Sequence, residues 1–73
     1  MSTPADELER ARAATANHAS ALRDLERFLA GLRGVPGPSE ITEYATLQAR
    51  EEEARADRLA SCTAAGLGVD SVQ

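Results

Sequence analysis

LERARAATANHASALRDLERFLAGL, residues 8–32, is the stretch that decides the fold. Positions 8, 11, 15, 18, 22, 25, 29 and 32 step alternately by three and four. They hold Leu8, Ala11, Thr15, His18, Leu22, Leu25, Leu29 and Leu32. An unbroken 3.5-residue period is the mark of a helix whose seam packs along another helix. Ala14, Ala21 and Phe28 widen the stripe on one flank. The half nearer residue 32 is rich in leucine; the other half is filled by Ala, Thr and His.

Upstream, Thr3-Pro4-Ala5-Asp6 reads as a helix start. Thr3 can cap the free amides, Pro4 suits the first helical position, and Asp6 and Glu7 favour the positive end of the dipole. Downstream, Gly34 followed by Val35 looks like a left-handed helix stop with its hydrophobic follower. The first helix is expected over about residues 4–33. Gly34-Val35-Pro36-Gly37-Pro38 cannot continue it, and so short a link joins antiparallel neighbours. Pro38 or Ser39 opens a second helix, expected over about 39–65, with Glu40 in its first turn and Gly66-Leu67 as its stop. The fold class is therefore all-α: a two-helix antiparallel hairpin over residues 1–66, followed by a short tail, 67–73.

Composition agrees. Fifteen Ala and eight Leu stand against one Phe, one Tyr, one Met and no Trp, which favours helix over strand. All eight bases are Arg. An excess of Ala, Arg, Gly and Pro, all encoded by GC-rich codons, points to a high-GC bacterial genome or a phage living in one. The net charge is −4, and residues 40–58 carry six acids against three bases. That balance argues against nucleic acid as a partner. No apolar run approaches the ~20 residues of a membrane span, and Met1–Glu7 lacks the basic start of a secretory signal. The single Cys62 allows no internal disulfide. A cytoplasmic site, or the inside of a phage particle, is the expected location.

The second helix is less apolar than the first. Ile41, Tyr44, Ala45, Ala49, Ala56, Leu59 and Cys62 share a broad face, interrupted by Gln48, Glu52 and Arg55, and a thinner line holds Leu47, Ala54 and Ala65. Folding back around residue 36 pairs positions whose numbers sum to roughly 72. His18 then falls near Ala54–Arg55, and Leu29 near Tyr44. Large side chains gather at the turn end and alanines line the open end. Leu25, Phe28 and Leu47 span too wide an arc for one neighbour to cover. The hairpin is expected to be completed into a helical bundle by self-association or by another protein. Its contact residues are expected to be Leu22, Leu25, Phe28, Leu29, Leu32, Ile41, Tyr44 and Leu47. Leu25→Asp or Leu29→Asp is expected to abolish folding and binding together.

Catalytic chemistry finds little footing. His18 is the only histidine and sits in the seam, where a polar residue that fixes register is the plainer role, with a pH switch or general base beside Glu51, Glu52 or Arg55 as the sharper one. Cys62 reads as a small core residue under Leu67 rather than a nucleophile. Glu51-Glu52-Glu53 reads as a solvated face, since a di-iron bundle wants Glu-x-x-His on its helices and Thr15 stands where that Glu would be. No metal, cofactor or small-molecule substrate is expected, and no enzyme activity. The tail Leu67-Gly68-Val69-Asp70-Ser71-Val72 resembles the short peptides that target cargo into encapsulin shells. Asp70, however, stands where those peptides carry glycine, which puts a charge where a tight turn is wanted.

The expected function is that of a small assembly or adaptor protein acting through protein–protein contacts, a structural subunit of a bacterium or phage. The alternatives are a regulatory binder that captures a larger bacterial protein through the turn-end face, and an accessory subunit of a larger enzyme.

Overall fold

The computed structural model describes residues 3–68. Two long helices fold back on each other as an antiparallel hairpin: α1 from Pro4 to Gly31 and α2 from Pro38 to Cys62. A wide five-residue turn, Thr63–Leu67, follows α2 and packs back against α1. Extents of 48 × 30 × 17 Å make a plank one helix layer thick.

The entry to α1 follows its sequence signature closely. Asp6 N–H donates to Thr3 Oγ1 at 3.0 Å, and Thr3 N–H reaches back to Asp6 Oδ2 at 3.5 Å. Pro4 occupies the first helical position, where its missing N–H costs nothing. The start of α2 also falls where the sequence places it, and the two C-terminal ends differ from expectation. α1 stops at Gly31, not near residue 33, and Gly34 is not left-handed. Leu32 turns extended (φ −72°, ψ 139°), and its N–H bonds Leu29 O at 3.2 Å. Glycine is the cheapest residue at which to end a helix. Leaving there lets Leu32 lie with Pro36 and Ile41 rather than continue up the helix. α2 opens with Pro38, and Gly37 is its cap. Gly37 N–H donates to Glu40 Oε1 at 2.8 Å, so a side chain three residues on satisfies the exposed amide that a glycine cap leaves. At the far end α2 stops at Cys62 and the chain widens to Leu67. Gly66, at φ 89°, supplies the left-handed residue the sequence assigns to it.

The roll of the helices is the main departure. The contact line on α1 is Ala11, Ala14, His18 and Ala21, all buried, extended by half-buried Leu25, Phe28 and Leu32. On α2 it is Glu51, Ala54 and Ser61, buried, with half-buried Leu47 and Arg58, and half-buried Ala65 continues it in the turn that follows. The flank of the leucine stripe has thus become its centre. Leu22 and Leu29 stand about half exposed, at 47 % and 52 %. The thin line of α2 faces α1, and Ile41 and Leu59 of the broad face point outward. Leu25, Phe28 and Leu47 are all half-buried along one seam, and none of them is fully covered by the single neighbour. The physical reason for the roll is size. Alanines let two backbones approach closely, and the polar bonds described next lock the roll that brings them together.

Candidate interaction surface

His18 sits where the numbers place it, between two residues of α2 seven apart. Its Nε2 lies 2.8 Å from Glu51 Oε2, and Arg58 Nε–H donates to its Nδ1 at 3.0 Å. A carboxylate accepts and a guanidinium only donates. The ring that satisfies both is therefore the neutral form with its proton on Nε2. Arg55 Nη2 comes within 3.6 Å of Glu51 Oε1, one helical turn along. Among the described residues no buried side-chain nitrogen or oxygen lacks a partner. Glu51, which reads from sequence as part of a solvated run, is buried; Glu52 and Glu53 are exposed. His18 and Glu51 are buried and tie the two helices together at one level through this network.

The two broad faces of the plank differ. One is polar. Arg50 Nη1 holds Asp24 Oδ2 at 2.8 Å, Arg27 Nη1 holds Asp24 Oδ1 at 3.4 Å, and Asn17, Arg50, Glu53 and Asp57 rim a shallow depression over Ala54. The opposite face carries the displaced leucines. Near the turn, Phe28, Leu29, Leu32, Pro36, Ile41 and Tyr44 line an open groove of about 230 Å³. The rings of Phe28 and Tyr44 lie 6.3 Å apart, tilted by 31°. The one charged lining residue is Glu40, already engaged by Gly37 N–H. Near the open end Leu8, Thr15, Ala19, Cys62 and Leu67 line a shallower trough, and Cys62 Sγ sits 4.0 Å from Thr15 Oγ1. Cys62 is half-buried.

Ligand pockets run from roughly 300 to 1,000 Å³ and carry convergent polar groups. The turn-end groove is smaller than that, open, and lined almost wholly by apolar side chains. Among the described residues no three His, Cys, Asp or Glu side chains are grouped to hold a metal ion. No helix is long and apolar enough to cross a membrane among the same residues. Compared with protein families, curated proteins and solved structures, the chain matches none.

Of the expected contact residues, Phe28, Leu29, Leu32, Ile41 and Tyr44 line one groove. Leu22 lies exposed on α1, while Leu25 and Leu47 are half-buried in the seam between α1 and α2. Sequence reasoning named Glu51 as one of three possible neighbours of His18 but missed Arg58. The available signal is the seven-residue spacing from Glu51 to Arg58, which straddles Ala54 on one side of α2. The tail beyond Gly68, including the encapsulin-like stretch from Val69, lies outside the described residues.

Proposed function

We propose that this chain is a non-enzymatic helical assembly or adaptor protein that works through protein–protein contacts made by its leucine-bearing face. One observation carries the reading: Leu8, Leu22, Leu29, Ile41, Leu59 and Leu67 are each between 39 % and 58 % exposed. Scattered apolar residues on a surface are ordinary. Here the α1 members recur at spacings of seven and fourteen residues and continue into a groove that two aromatic rings border. A surface of that kind marks an interaction site. A composition rich in Ala, Arg, Gly and Pro and a lone thiol fit a subunit made in a bacterium or a phage-infected cell.

The test separates association from folding. Leu22 and Leu29 are half exposed, so Leu22→Asp with Leu29→Asp is expected to keep the helical circular dichroism of the wild type while losing association and hydrophobic-dye uptake. Leu25→Asp, in the seam, is expected to lose both helicity and association. The half-exposure of Leu29 supports an expectation that folding and binding, which the sequence alone couples, come apart at this position. A wild-type chain that is a 7.7 kDa monomer by light scattering, melts at a temperature independent of concentration and takes up no dye would overturn the reading.

A further inference from the structure

We propose that the occupant of this face is a second copy of the same chain, laid with its turn at the opposite end so that the two α1 helices run antiparallel. This rests on the reading above and goes further by naming the partner. The outer line of α1 starts at Leu8 and steps by four and three to Leu29. Its residues read nearly the same in both directions. Turned end for end about Ala19, the line sets Ala19 against the partner's Ala19 and brings Leu8 and Thr15 within about one residue of the partner's Leu29 and the partner's Leu22.

Charge settles the direction. Arg12 and Glu26 are the two charged members of this line, two heptads apart, and both are exposed. In the antiparallel arrangement Arg12 meets the partner's Glu26, and the pair occurs twice. Charges placed along a helix–helix contact set partner choice and orientation. Arg12 has only a loose local contact to Glu9, at 3.4 Å between two well-exposed side chains, so it can be recruited cheaply. If the turns lay at the same end, α1 would cover α2 of the other copy. Arg12 would then lie level with Leu59 and Cys62, and Glu26 with Gln48, and neither would find an opposite charge. Ala19 at the two-fold axis lets the backbones approach. The opposed arrangement also lays the turn-end groove of one copy over the Leu8–Leu67 end of the other, so both troughs are covered by one operation. The product is a four-helix bundle with closed two-fold symmetry.

The experiment uses the whole chain. Light scattering on the wild type is expected to give twice the chain mass. Arg12→Glu is expected to raise the dissociation constant by about tenfold or more, and Arg12→Glu with Glu26→Arg to restore it, helicity being unchanged throughout. Ala19→Cys in a Cys62→Ser background is expected to form a disulfide-linked dimer under mild oxidation. A dimer that does not cross-link through position 19, and that the charge exchange does not rescue, overturns the antiparallel pairing while the assembly reading stands. A monomer at hundreds of micromolar that still takes up hydrophobic dye overturns the second copy as the partner and leaves the apolar face to a different protein. A monomer without dye uptake removes both.

Discussion

Ala54→Asp is expected to unfold the hairpin. Ala54 is 3 % exposed, and it lies between Glu51 and Arg58 on the line that receives His18. A charge placed there without a partner costs several kcal/mol. It also adds negative charge beside a glutamate that is already buried. Chains of this length rarely gain more than ~3–5 kcal/mol from one core, so a single substitution of that size exceeds what holds the fold. Ala56→Asp, on the exposed side of α2, is the control, and it is expected to cost no more than about 1 kcal/mol. Thermal melts followed by circular dichroism distinguish the two. A folded Ala54→Asp hairpin with a near-native midpoint would mean that the alanine seam is not where the helices touch.

The second large effect belongs to the polar lock. His18→Ala leaves buried Glu51 with one distant arginine, and Glu51→Ala leaves the His18 Nε2–H without an acceptor. Each is expected to cost about 1–3 kcal/mol, because a stranded buried polar group forfeits its hydration. Removing both should cost less than the sum, with a coupling of roughly 0.5–3 kcal/mol in a double-mutant cycle by urea denaturation. Exchanging the pair for leucines, His18→Leu with Glu51→Leu, is expected to match or exceed wild-type stability, as other buried ionic groups do when replaced by apolar ones. The lock would then serve specificity rather than strength. Strict additivity of the two single losses would show that the 2.8 Å bond contributes nothing of its own.

How much of this was legible beforehand varies with the kind of signal. Thr3, Pro4 and Asp6 announce the start of α1 because a cap is a local event, and the structure forms those two bonds. The bend is equally local: Pro36 and Pro38 bar α1 from continuing, Pro38 suits the first position of α2, and Gly66 is the one glycine with positive φ among the described residues. The pairing of His18 with the region of Ala54 follows from counting outward from the bend. The roll was not legible. Counting hydrophobicity selects Leu22 and Leu29 for the seam, yet the helices meet through Ala14 and Ala21. Small residues bury little surface each and so carry little weight in a pattern, although they alone permit close approach. Glu51 was misplaced for a related reason. A glutamate within a run of three reads as solvated until a histidine 33 residues away is known to reach it. Leu32 and Gly34 were misjudged because two glycines compete to end α1, and only the contact of Leu32 with the bend decides between them.

The brevity of the bend also bears on how quickly the native state is reached. Six residues, 32–37, separate the helices; one of them, Pro36, has a fixed φ, and a second proline, Pro38, opens α2. The entropy lost in closing so small and stiff a loop is low, and every later contact then forms between segments already held side by side. Chains dominated by such near-neighbour contacts fold in microseconds to milliseconds. The Phe28–Tyr44 pair lies next to the bend and the histidine bond further along the arms, so closure is expected to run outward from the bend.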